Sequence, residues 1–137
     1  MLDPGRSAKE DDLGSPAEVV RRMWDLFQAR AWDDVMDCFH PDLLVEYPVS
    51  RERFESAERF VAMNRAYPEG WTIDVRRIVA EGDVVASEVA VPLGDEAHVS
   101  LAFSTVRDGR IARITDYWVL EASEEQPAWR TGYSTRY

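Results

Sequence analysis

GRIARITDYW, residues 109–118, sets the register from which the rest of the fold is read. Asp108–Gly109 just before it is a hairpin turn signal, and the residues that follow alternate. Successive side chains on a strand face opposite sides. One side holds Ile111, Arg113, Thr115 and Tyr117, and the other holds Ala112, Ile114, Asp116, Trp118 and Leu120. The second side is apolar except for one carboxylate. It reads as the inward face of the last long strand. Asp116 within it is either a group kept for chemistry or a structural anchor paired with an arginine or with His98.

The same punctuation recurs upstream. Gly94–Asp95 separates AHVSLAFSTVR from VVASEVAVPL, and Gly82–Asp83 separates that stretch from WTIDVRRIVAE. Four alternating segments joined by short turns predict an antiparallel meander. Trp71, Ile73 and Val75 alternate and the phase then slips at Arg76–Arg77, which predicts a bulge. Before the meander the period changes. In SPAE, residues 15–18, Ser15 caps a helix, Pro16 suits its first position and Glu18 completes a capping box. Val20, Met23, Trp24 and Phe27 recur at helical spacing, so this helix runs to about Arg30. AWDDVMDCF predicts a second, short helix with Trp32, Val35, Met36 and Phe39 on one face. It ends at His40–Pro41, where His40 meets the negative end of the helix dipole. LLVEYPV is a short extended stretch. Ser50 is the expected cap of a third helix, RERFESAERFVAMNRAY, with Phe54, Ala57, Phe60, Val61 and Asn64 inward and Pro68 and Gly70 as its stop.

These elements predict a loosely attached, disordered segment over residues 1–14 and one α+β domain over 15–121. In that domain three N-terminal helices pack on a strongly bent antiparallel sheet, making a cone with a cavity between the layers. A tail over 122–137 is expected to dock on the domain through Trp129 and Tyr133. The 137 residues suffice for one core and not for two. Sixteen basic residues against 26 acidic give a net charge of −10, which argues against nucleic acid and anionic membranes as partners. No apolar run approaches the ~20 residues of a spanning helix, and the first residues lack the apolar core of a signal peptide. A cytoplasmic location is the expectation. The single cysteine, Cys38, cannot form an internal disulfide and reads as core packing. With two histidines, His40 and His98, and no ligand spacing, no metal is expected.

The order of elements, HPDLLVEYP after the second helix, and DGRIARITDYW before a Pro-Ala-Trp-Arg tail resemble the nuclear transport factor two-like superfamily, in its SnoaL-like, polyketide cyclase-like group. The resemblance covers residues 15–130. It implies a cone-shaped α+β domain, usually dimeric, with a hydrophobic pocket at the wide end. Activities on this fold range over isomerases, cyclases, dehydratases, epoxide hydrolases and non-catalytic adapters. Asp116 in TDYW matches the catalytic Asp of limonene-epoxide-hydrolase-like members. Their second Asp and Arg have no match, because the neighbouring strand supplies Glu88 and Ala90. The base Asp of ketosteroid isomerases is replaced by Tyr47 in VEYPV. The family register points His98, Ser100, Ala102 and Ser104 inward from one strand, and Val84, Ala86, Glu88 and Ala90 from the next.

The expected site is therefore an apolar, aromatic pocket. Asp116, His98 and Tyr47 are its catalytic candidates. Trp24, Phe27, Phe60, Trp71, Glu88, Ser100 and Trp118 are the substrate-binding ones. A carboxyl in such a pocket has its pKa raised by desolvation, which suits acid–base work near neutrality. Tyr47 or His98 is placed to stabilise an oxyanion. The expected activity is cofactor-independent proton transfer on a hydrophobic carbonyl compound, of isomerase, cyclase or dehydratase type. The alternatives are a module that binds a hydrophobic ligand without chemistry, or an interaction domain. Tyr117, Val119, Val89 and Val91 on the outward phase are the expected surface of a homodimer.

Overall fold

The computed structural model describes residues 14–137. The segment expected to be disordered, 1–14, lies outside that range apart from Gly14. Helix α1, Pro16–Gln28, begins as its sequence dictates: the Ser15 hydroxyl accepts the Glu18 amide at 3.2 Å, and Pro16 stands in the first turn. It buries Val19, Val20, Met23, Trp24 and Phe27 on one face. Helix α2 is a single turn, Trp32–Val35, tightening into a 3-10 turn at Met36–Cys38. The chain then extends at once into β1, Phe39–Tyr47.

His40 is thus a strand residue rather than the end of a helix. Pro41 explains it, since a residue before proline is pushed to extended geometry. The missing amide of Pro41 falls where the ladder of β1 is interrupted, between Phe39 and Leu44. The third helix is also shorter than expected. Glu52–Phe54 forms a strand, β2, paired antiparallel to β1 through Val45–Phe54 and Tyr47–Glu52. Helix α3 runs only from Ala57 to Ala66, with Ser56 as its cap accepting the Arg59 amide at 3.2 Å. Ser50 instead donates to Glu52 at 2.6 Å in the hairpin turn. Cross-strand pairing outweighs helix propensity here: Arg53 bonds Glu46 at 2.5 Å, and the Tyr47 and Phe54 rings meet edge-on at 5.0 Å.

The meander follows as β3 (Asp74–Glu81), β4 (Val84–Ala90), β5 (His98–Arg107) and β6 (Arg110–Leu120). At the last turn Asp108 and Gly109 both take positive φ, 55° and 73°, as a tight hairpin with right-handed twist requires. The register of β3 on β4 shifts between Val75 and Arg77, where the phase slip predicts a bulge. The sheet is larger than a meander, with strand order β2-β1-β6-β5-β4-β3. Strand β1 lies parallel to β6, and every other pairing is antiparallel. The result is a curved, open, mixed sheet with the helices on one face.

Cross-strand partners share a face, so the register fixes which residues point inward. Ser87 faces Ala102, which faces Asp116; Val89 faces Ser100, which faces Trp118. On β4 the inward residues are therefore Val85, Ser87 and Val89, all buried. The inward set Val84, Ala86, Glu88 and Ala90 is one residue out of phase. Val89 and Val91, assigned to an outward dimer surface, are buried in the core, whereas Tyr117 and Val119 do point out. They share the outer face with Val79, Leu101 and Phe103, all exposed. In the tail, Trp129 and Tyr133 are 75% and 89% exposed. Its hydrogen bonds, Gln126 to Ser134 and Arg136 to Glu124, close within the tail.

Candidate functional site

The layers do not fill the space between them. A cavity of about 310 Å³ remains. Met23, Trp24 and Phe27 of α1 and Phe60, Met63 and Asn64 of α3 form one wall. The sheet supplies Tyr47, Ala102, Ser104, Ile114, Asp116 and Trp118 opposite, while Tyr67, Trp71 and Ile73 close a side. The partly or fully exposed Ser50, Glu52 and His98 mark the open end. An apolar enclosure with a few polar groups is the common form of a small-molecule site.

Asp116 is 4% exposed. Its one hydrogen bond among the described residues comes from Ser100, whose Oγ donates to Oδ1 at 2.7 Å. No arginine, lysine or histidine pairs with it among those residues. Burial raises its pKa from 3.8 to about 7, and the Ser100 bond opposes that rise without cancelling it. The carboxyl is thus poised to be held protonated or ionised near neutral pH. Ser100 is fully buried, so it acts on Asp116 from behind rather than on a ligand.

Tyr47 lines the same cavity. Burial, and then the nearby Asp116 charge, push its phenol well above the ordinary range, so it stays a donor. The Trp118 indole stands close enough to Tyr47 to favour its phenolate slightly, yet outside hydrogen-bond geometry. Trp24, Phe27, Phe60, Trp71 and Trp118 all line the cavity. Among the lining residues, the indole nitrogens of Trp24, Trp71 and Trp118 and the hydroxyl of Ser104 are buried with no partner among the described residues. Buried donors without partners are uncommon and costly. Here they belong to residues that also line the cavity.

Two candidates fall elsewhere. His98 is opposite Leu120, four residues along β5 from the partner of Asp116, or about 13 Å at strand spacing. Its Nε2 is 3.3 Å from Glu96 at the open end, so no Asp–His pair forms. Glu88 is on the outer face, where it bonds Arg77 at 2.7 Å and Arg76 at 3.4 Å. With Ser87 inward instead, β4 brings no second carboxylate to Asp116. Cys38 is buried in the core, where desolvation raises its thiol pKa. Among the described residues no group of His, Cys, Asp or Glu is arranged to hold a metal ion, and no helix is long and apolar enough to cross a membrane.

Sequence reading missed Met63 and Tyr67, although both follow Phe60 at helical spacing and were within its reach. It also missed Arg30, which holds Trp71 in place across 41 positions, a link that no local pattern carries.

The SnoaL-like domain family matches residues 20–114. A candidate ketosteroid isomerase from Kribbella flavida DSM 17836 is 32% identical over 92% of this chain and 92% of its own, with a TM-score of 0.83. An NTF-2 like protein of unknown function from Burkholderia xenovorans LB400 is 22% identical over 94% of this chain and 98% of its own, with a TM-score of 0.73. A candidate polyketide cyclase from Sinorhizobium meliloti is 20% identical over 72% of this chain and 93% of its own, with a TM-score of 0.61. No functionally curated protein matches the chain. With the family matching across helices and sheet, and a relative at 32% identity spanning nearly the whole chain, the protein belongs to the SnoaL-like domain family and has the NTF2-like fold.

Proposed function

We propose that the protein is a cofactor-independent enzyme that moves a proton next to a carbonyl in an uncharged, largely apolar molecule, in an isomerisation or cyclisation. One observation carries this reading: a nearly fully buried carboxyl, bonded among the described residues by one serine alone, opens on an apolar cavity, where burial raises its pKa to about 7. That is the state a general acid–base needs, and such a group contributes about 10²–10⁴ in rate. Asp116 takes the proton from carbon and returns it at a second position. Tyr47, held protonated beside it, donates to the oxygen on which charge develops. The Kribbella relative, named a candidate ketosteroid isomerase, supports a reaction of this class.

The lining residues include no arginine or lysine, and Glu52 and Asp116 are its acidic members. A carboxylate ligand would be desolvated there without a counter-charge, so neutral substrates are favoured. The test is α-deuteration of a neutral enolisable ketone, 2-tetralone, in deuterated buffer. The wild type accelerates exchange over buffer, and Asp116→Asn loses about 10²-fold or more of that acceleration. Equal exchange by both proteins refutes the role of Asp116.

A second reading has its own support. With His98 and Glu88 away from Asp116, only the Tyr47 phenol stands near the carboxyl as a second proton-bearing group among the described residues, which suits a binder as well as an enzyme. Ketones bound and recovered without exchange identify that module. Pairing of two copies through the outer sheet face, and residence in the cytoplasm, belong to the same proposal.

A further inference from the structure

Most of the cavity wall is locked into helices or sheet ladders, and the longest stretch of it that is not is a strap. Residues 67–73 cross from α3 to β3 outside both elements, yet supply Tyr67, Trp71 and Ile73 to the cavity. This strap is fastened largely by side chains at and after the end of α1. Gln28 Oε1 accepts the Ile73 amide at 2.6 Å. Arg30 donates to the Trp71 carbonyl at 2.6 Å and lays its guanidinium over the Trp71 ring at 3.3 Å. The same guanidinium reaches Glu69 from Nη2 at 3.0 Å and from Nε at 3.1 Å.

The local backbone is built around this clasp. Arg30 takes φ 57°, the left-handed region that side-chain-bearing residues seldom enter. Gly70, between the two clasped residues, has φ 117°, and a Cβ there would meet Leu93 at 3.3 Å. The strap thus turns at a glycine. The two ends of the clasp differ in strength. Glu69 is 66% exposed, where ion pairs are weak, whereas Trp71 is buried against the cavity.

We infer that Arg30 is the latch of a gate: strap 67–73 is the movable wall of the cavity, and the Arg30–Glu69 contact sets how often it opens. This rests on the reading that the cavity takes a ligand. Arg30 is a positioning residue, acting through Trp71. A latch that only sets the open fraction changes the rates of entry and exit together and leaves affinity alone. A residue that only shapes the wall changes affinity, mainly through exit.

The test is stopped-flow binding of the neutral fluorophore N-phenyl-1-naphthylamine to wild type, Glu69→Gln and Arg30→Lys. Lysine keeps the charge but cannot make the forked contact. Phe103→Glu, on the outer face, identifies signal that does not come from the cavity when compared at a dilution where both proteins sediment as monomers. Glu69→Gln, which leaves the Arg30 contacts to Trp71 in place, raises association and dissociation rates by the same factor, about two- to fivefold for an exposed ion pair, with Kd unchanged; Arg30→Lys, which also loses the stack on Trp71, raises both rates at least as much. Hydrogen exchange at the Ile73 amide, measured without any probe, rises in parallel. Cavity binding with unchanged rates overturns the latch, as does a change confined to dissociation or an unchanged Ile73 exchange. Failure of the wild type to bind the probe in its cavity overturns the ligand reading and the latch with it.

Discussion

Asp116 makes a prediction about stability that can be worked from its surroundings alone. Its pKa moves from 3.8 to about 7 on folding because burial penalises the charged form. The folded state therefore holds its proton at pH values where the unfolded chain has lost it. Between those two values the native state binds more protons, so stability falls as pH rises and levels off above about 7. The full difference, at ~1.4 kcal/mol per pH unit, is about 4 kcal/mol. The isoelectric point of about 4.6 makes the lower half of that range prone to precipitation. Over pH 5.5 to 7.5 the remaining change is about 2 kcal/mol. Asparagine keeps the shape and the Ser100 acceptor while removing the titration. Urea unfolding of wild type and Asp116→Asn at half-unit intervals isolates the effect, because the other acids cancel in the difference. Relative to the variant, the wild type loses about 2 kcal/mol between pH 5.5 and 7.5 and nothing further to 8.5. A difference that stays flat, or that grows in favour of the wild type, refutes the assignment of Asp116 as a desolvated, unpaired acid.

Three further outcomes are expected. Ser100→Ala removes the donor that favours the ionised form, so carboxyl-carbon NMR gives an Asp116 midpoint above that of the wild type; a lower midpoint contradicts the Ser100–Asp116 bond. Ser56→Ala lowers stability to urea by about 1 kcal/mol through loss of the α3 cap, whereas Ser50→Ala, in an exposed turn, changes it by less than about 0.5 kcal/mol. Phe103→Glu places a charge in the middle of the outer apolar face, so sedimentation velocity finds a dimeric wild type and a monomeric variant; equal sedimentation removes that face as the interface.

The elements that were legible in the sequence are those whose signals are local. Ser15–Pro16 and the Val20–Phe27 spacing specify α1, Asp108–Gly109 specifies the last hairpin, and the slip at Arg76–Arg77 marks the bulge. The misread elements are those decided by distant partners. Glu52–Phe54 has a helical neighbourhood but is drawn into a strand by β1. His40–Pro41 says that the chain leaves helical geometry without saying that it enters a sheet. On β4 the phase taken from resemblance put Glu88 in the pocket, while the odd-numbered valines, Val85, Val89 and Val91, already pointed the other way. Asp116 was legible because a lone carboxylate on an apolar strand face is locally anomalous. Its isolation from His98 depended on where β5 meets β6, which only the cross-strand register determines.

The parallel pairing of β1 with β6 has a consequence for how the domain is made. Phe39 meets Ile111 and Val45 meets Ile114, so an early strand takes its place beside the last one. During synthesis, α1, α2 and β1 leave the ribosome with their central neighbour still unmade. Closing such a long loop costs entropy before any contact repays it, and topologies rich in distant pairings fold slowly. Until Leu120 has emerged, β1, with Leu43 and Val45, lacks its central neighbour and the sheet beside α1 is incomplete. The nascent chain in that interval is where chaperones would be needed, and a ribosome-stalled chain ending at β5 should bind them while one extended past β6 should not.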